Sequence, residues 1–292
     1  MAKWHFTIGF GIALGLLMGL VAGEVRAADN SAALRLVADQ KEFLHLEPIL
    51  VTLRLNSAVV EGLPATPGES KWGTLRFEID PSVKPRKDAK ALPLESQEPE
   101  VKAKSRIYDL MEWFSFPDKG GTWTARAVFE HRATKLVSEP ITITVRKPAK
   151  GDAEFEPVAR LHHTPWSNYD TNSFCGDTFD LVQKWPTSRF ARYCHYWNGR
   201  YLQNKKEFDK AITSYRTVVD KYPDFVLADA AAYSIAECLY AQKKVLEAQT
   251  ALNSLRKKLE GAAGNESSTP KTALYGLADA MARRIKQNSG TE

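Results

Sequence analysis

Two periodicities and one internal repeat predict a multidomain β + α protein, an N-terminal antiparallel β-sandwich followed by C-terminal α-helical repeats. Between Ser31 and Val145 apolar and polar side chains alternate in short runs separated by turn formers, which is the period of half-buried strands. From about Asp177 the spacing of apolar residues changes to that of helices. There a pattern recurs after about 37 residues: Leu181-Val182, Lys184-Trp185-Pro186 and Ala191 return as Val218-Val219, Lys221-Tyr222-Pro223 and Ala228. The same shift carries Tyr196 onto Tyr233, Gly199 onto Ala236, Ala211 onto Ala248 and Tyr215 onto Leu252. Units of this length are helix pairs, which bury their apolar faces only by stacking.

Residues 1–27 read as an export signal. Lys3 gives a positive start, Phe6 to Gly23 is apolar and uncharged, and Val25-Arg26-Ala27 offers small residues for cleavage before Ala28. An uncleaved anchor is the alternative, because the apolar run approaches the roughly 18 residues that span a bilayer; its glycines and its small-residue exit favour cleavage. The expected protein is therefore exported, periplasmic or secreted. Its net charge of +5 and 26% charged residues, with both signs interleaved, describe an ordinary surface and give no reason to expect nucleic acid. Cys175, Cys194 and Cys238 leave at least one thiol free. Cys175 could reach Cys194, but Cys194 and Cys238 sit in the first helices of successive units, where a small buried residue is the simpler reading.

The β-rich domain spans 29–147. Leu34 to Ala38 opens it. Ile49, Val51, Leu53 and Leu55 face one way against Thr52, Arg54 and Asn56; Leu75, Phe77 and Ile79 repeat the pattern. After a Gly120-Gly121 turn, Trp123, Ala125, Ala127 and Phe129 form another inward row, and Ile141, Ile143 and Val145 the last. A further strand is expected over Arg106 to Phe116. Between them, 81–104 is rich in Lys, Glu, Pro and Ala and reads as a mobile insertion. Trp72, Trp113, Phe114, Phe116 and Trp123 could stack on carbohydrate, but core packing accounts for most of them. Phe43 through Glu47-Pro48 into Ile49-Leu-Val-Thr-Leu, with Gly121-Thr-Trp-Thr-Ala-Arg-Ala-Val-Phe and Ser138-Glu-Pro-Ile-Thr-Ile-Thr-Val, resembles immunoglobulin-like and fibronectin-type modules of bacterial exported proteins. That resemblance implies a fold and no ligand.

A linker, 148–176, follows Lys147-Pro148. It holds His162, His163, Trp166, Tyr169, Asp170 and Asn172 but no period and no HxxxH, HExxH or CxxC spacing, so a connector is expected and no metal. The helical domain is expected over 177–288. Gly199, Leu202, Phe208, Ala211, Tyr215, Val218 and Pro223 have the spacing of a tetratricopeptide repeat, with Ala236, Leu239, Val245, Ala248, Leu252 and Leu255 as a second unit. A small residue lets two helices approach, an aromatic fills the space beside it, and Pro ends the pair. The length of 37, against the usual 34 or so, puts extra residues around Pro223-Asp-Phe-Val-Leu-Ala-Asp. This variant is similar to repeats of bacterial periplasmic and outer-membrane assembly proteins. A half-unit ending at Trp185-Pro186 and a closing helix from about Lys271 to Lys286 are expected to cap the stack.

No Gly-x-Ser-x-Gly elbow, phosphate loop or metal cluster appears, so neither catalysis nor a cofactor is expected. The reading favours a non-enzymatic adaptor of the cell envelope, since the repeat resemblance implies a protein partner, bound as a peptide or helix segment. Candidate groove residues are His195, Asn198, Tyr201 and Lys205 on one helix and Asp229, Ser234, Glu237 and Gln242 on the next. A carbohydrate or cell-wall binding protein acting through the sandwich is the alternative.

Overall fold

A computed structural model describes residues 33–57, 60, 62–64, 66–86, 104–117, 119–161, 172–261 and 273–289. The expected signal, residues 87–103 of the insertion, and His162, His163, Trp166, Tyr169 and Asp170 lie outside them, as do the side chains of Asn172 and Cys175. No described helix is long and apolar enough to cross a membrane.

The β-rich region places β1 (Leu34–Ala38), β3 (Leu50–Leu55) and β7 (Ser105–Asp109) in one antiparallel sheet. The second sheet runs in the order β2 (Glu42–Leu44), β11 (Ile141–Arg146), β9 (Gly121–His131), β5 (Gly73–Asp80) and β4 (Gly68–Ser70), with β10 (Thr134–Val137) paired to β9. Because side chains alternate, Val51, Leu53 and Leu55 from the first sheet and Leu75, Phe77, Trp123, Ala127, Phe129 and Ile143 from the second share one apolar core. Gly120 makes the turn into β9 with φ 76°, and a Cβ there would lie 2.5 Å from the Val145 carbonyl oxygen.

Three expectations need correction. The sheets are not wholly antiparallel, since β11 runs parallel to β2 with Val145 opposite Phe43. The strand expected over Arg106 to Phe116 breaks at α1 (Leu110–Trp113) before β8 (Phe114–Ser115), because Asp109 Oδ1 accepts from the Met111 and Ile49 amides and caps a helical turn. The insertion begins in order, with β6 (Lys84–Pro85) pairing β8. At its far end Lys104 Nζ donates to the Ser57 carbonyl at 2.6 Å and also to that of Val60.

The helical region begins earlier than expected. Within the linker, α2 (Phe155–Arg160) puts Val158, followed by Leu161, into the helical core, and α3 (Asn172–Lys184) starts at Asn172. Four helices then follow: α4 (Ala191–Asn204), α5 (Phe208–Lys221), α6 (Ala228–Ala241) and α7 (Val245–Gly261), with α8 (Ala273–Ser289) against α6 and α7. The starts of α4 and α5 recur in α6 and α7 at the spacing read from the sequence. Lys206 and Lys243 carry matching left-handed φ values of 62° and 64° at the two inter-helix turns. On α8, Leu274, Leu277, Ala278, Met281, Ala282 and Ile285 are buried and Arg283, Arg284 and Lys286 exposed, as a closing helix requires.

Leu50 breaks the alternation of β3, since Ile49, Leu50 and Val51 are all buried. The extra face is used: Leu44 and Leu50 belong to the helical core.

Candidate functional site

The first helix pair closes on the contact expected of it. A Cβ built on Gly199 would stand 2.6 Å from the Tyr215 ring, which fills that space with no exposure. Tyr215 Oη donates to Gln203 Oε1 at 2.8 Å. In the second pair Ala236 replaces Gly199 and Leu252 replaces Tyr215, a larger small residue against a smaller large one, and both are fully buried. Ala211 and Ala248 are buried at the equivalent crossings, and Pro223 stands exposed just after α5. Cys194 and Cys238 are free thiols within the core; burial pushes the Cys194 thiol up and that of Cys238 up to about 12.

The candidate groove residues do not form one surface. Asn198 is buried and accepts from Thr178 Oγ1 at 2.5 Å, and Ser234 has no exposure, so neither can meet a ligand. His195 is half-buried, its ring 6.4 Å from that of Tyr222. Burial, helped by the Lys221 charge, lowers its pKa to about 4, so it stands neutral at pH 7. Asp229 accepts from Lys258 of α7 at 2.7 Å, Glu237 from Gln203 of α4 at 3.2 Å, and Gln242 donates to Asp209 of α5 at 2.9 Å. These three tie helices to one another. The repeat register explains the scatter: Asp229, Ser234 and Glu237 correspond to Arg192, Trp197 and Arg200, and only Gln242 corresponds to a first-unit candidate, Lys205. Tyr201 and Lys205 remain together on the surface, with Lys205 Nζ 5.4 Å from the Tyr201 ring centre. Tyr201 lines an open groove of about 500 Å³ with Phe179 of α3, Leu202, and Lys210 of α5.

A polar junction between the two domains is what residue-by-residue reasoning missed. Glu47, in the turn between β2 and β3, has no solvent exposure. Its carboxylate accepts from the Leu44 amide at 2.8 Å, from Gln40 Nε2 at 2.6 Å and from Tyr193 Oη at 3.2 Å. Arg189 reaches it at 3.0 Å and Arg192 at 3.4 Å. Gln40 Oε1 accepts from both arginines at 2.8 Å. On the helical side, Phe225 stacks edge-on to Tyr193 with centroids 5.0 Å apart, and the Arg192 guanidinium lies over both rings. Asp39 pairs with Arg192 at 3.7 Å; burial raises its pKa against the pull of Arg192 and of the Val226 backbone beside it. From the linker, Glu154 accepts from Ser188 Oγ and from the Arg189 amide.

This junction accounts for the long repeat. Ser188-Arg189-Phe190 and Phe225-Val226-Leu227 are equivalent turns one repeat apart, and both meet the Asp39 to Glu47 stretch or its partners. The residues in excess of an ordinary repeat thus carry the contact with the β-rich domain. Two signals pointed there: the surplus at Pro223 to Asp229, and the unbroken apolar run beside Glu47.

Of the aromatics that suggested carbohydrate, Trp72, Phe114, Phe116 and Trp123 belong to or pack against the β-rich core. Phe116 and Trp123 stack edge-on inside the core at 5.2 Å, and Trp72 packs against it. Among the described residues no group of three or more His, Cys, Asp or Glu could hold a metal ion. No curated protein matches the chain. Residues 194–224, from the second turn of α4 through the turn after α5, match the family model of the tetratricopeptide repeat, a module whose usual role is protein–protein interaction.

Proposed function

We propose that this chain is a non-enzymatic, exported adaptor of the cell envelope whose helix pairs hold a segment of a partner protein while the β-rich domain serves as their base. The observation that carries this is the open groove on an intact repeat, walled by Phe179, Tyr201 and Leu202 with the Glu207–Lys210 pair in its lining and Lys205 over the Tyr201 ring beside it. Export rests on the character of residues 1–27, and the likeness to repeats of envelope assembly proteins rests on the long Tyr222-Pro223 turn. An immunoglobulin-like reading of the base is supported by its sheet orders, β1-β3-β7 facing β2-β11-β9-β5-β4. A rigid base fits such a role, because preorganisation lowers the entropy lost on binding.

Crosslinking of the exported protein in envelope extract, followed by identification of attached chains, tests the reading. A Tyr201→Ala/Lys205→Ala variant should lose the partner while keeping its melting curve. Unchanged recovery by that variant, or its retention in the cytoplasm with the leader intact, would count against it.

A further inference from the structure

The groove between α7 and α8 differs in kind from the one beside Tyr201. Val245, Leu246 and Gln249 from the start of α7 face Ala282 and Arg283 from the C-terminal half of α8 across about 400 Å³. Leu246 is 84% exposed and is the single exposed large hydrophobic among the described residues. An isolated exposed leucine is ordinary, but this one lines a concave surface, and its place in the repeat is taken by a charged residue in the preceding unit. Its equivalent in the first unit is Asp209, which Gln242 and Lys244 of the second unit engage at 2.9 and 3.6 Å. Both positions are exposed, 82% at Asp209 and 84% at Leu246, so the change between the units is from a charged to an apolar side chain.

Its charge indicates the occupant. Arg256 and Arg283 share one carboxylate, Asp279, at 3.6 and 2.8 Å. Arg283 remains 69% exposed, and Arg284 beside it is exposed as well. Arg256, Arg283 and Lys286 against Asp279, with Glu260 also acting on Arg256, leave the groove positive, with arginine geometry suited to a further carboxylate. A second copy of this chain is a poor fit: in a two-fold contact the same patch meets itself, and Arg283 and Arg284 would face their own equivalents.

We infer that the α7–α8 groove is a second docking surface, taking an acidic amphipathic segment of a partner protein with an apolar side chain seated on Leu246 and carboxylates on Arg256 and Arg283. It goes beyond the Tyr201 groove, and either reading can fail without the other.

Fluorescence anisotropy on the full chain tests it, using a labelled synthetic helix with leucines on one face and glutamates on the other, and a counterpart with lysines for glutamates. The expected result is binding of the glutamate peptide at least about tenfold tighter than the lysine peptide, weakening as salt screens the charges. Leu246→Asp and Arg283→Glu should each weaken it about tenfold, while Arg54→Ala on the β-rich domain leaves it unchanged. Both test side chains are exposed, so circular dichroism melts should match the parent. Equal binding of the two peptides, or indifference to both groove substitutions, would overturn the inference. So would a concentration-dependent dimer dissolved by Leu246→Asp, which would assign the groove to a second copy.

Discussion

Replacing Glu47 by alanine should separate the two domains energetically. The carboxylate has no exposure and gathers Arg189, Arg192, Tyr193, Gln40 and the Leu44 amide. Removing one partner of a buried pair costs about 3–5 kcal/mol. Here the arginine side chains keep 27% and 21% of their exposure, so water recovers part of that. The Leu44 amide, buried and left without its acceptor, adds about 1 kcal/mol. The sum is about 3 kcal/mol, of which about 2 lies across the junction, the Leu44 amide belonging to the β-rich domain itself. Urea unfolding followed by circular dichroism should change from one transition to two, and proteolysis within Lys147 to Asp152 should accelerate. Glu47→Gln keeps one acceptor oxygen and should lose about half as much. A double-mutant cycle with Arg189→Ala should return a coupling above about 1 kcal/mol. A Glu47→Ala protein that unfolds in one transition with less than about 0.5 kcal/mol lost would refute the junction as the device that joins the domains.

Two further outcomes follow from the packing. Gly199→Ala forces a methyl into the Tyr215 ring and should cost about 1–3 kcal/mol by thermal melting, and Tyr215→Leu in the same chain should recover much of it by recreating the Ala236–Leu252 pair of the second unit. Asp109, buried beside Glu112, has its pKa pushed up to about 8 by desolvation and by the neighbouring charge. Its folded pKa exceeds the unfolded value, so folding favours the protonated form: stability falls as pH rises from about 4 to about 8, by up to about 1.4 kcal/mol per unit. Asp109→Asn keeps the acceptor for the Ile49 and Met111 amides and should flatten that slope; an unchanged slope would place the titration elsewhere.

Much of the architecture was legible because its signals are local. Inward rows such as Val51, Leu53 and Leu55 follow from alternation, and the α4–α5 crossing from a glycine spaced against an aromatic. The short helix at Leu110 was not legible, because Asp109 caps it while also accepting from Ile49, a residue far away in sequence. Candidate binding residues were harder still. Polar character alone could not distinguish Tyr201 and Lys205, at the surface, from Asn198 and Ser234, within the core. Applying the repeat register to the candidates would have exposed the mismatch between the two helices.

The amino-acid sequence by itself determined most of the strands and the helix pairs, which arise from neighbours two, three or four residues apart, and the 37-residue spacing, which arises from repetition of one pattern along the chain. Only the tertiary structure decided what the surplus residues of that spacing do. The bond from Arg189 to Glu47 joins residues 142 apart, and no periodicity records such a meeting. It exists because the two surfaces fit, and burying Leu44, Leu50 and Phe225 together leaves Glu47 no solvent, so that Arg189, Arg192, Tyr193, Gln40 and the Leu44 amide satisfy it.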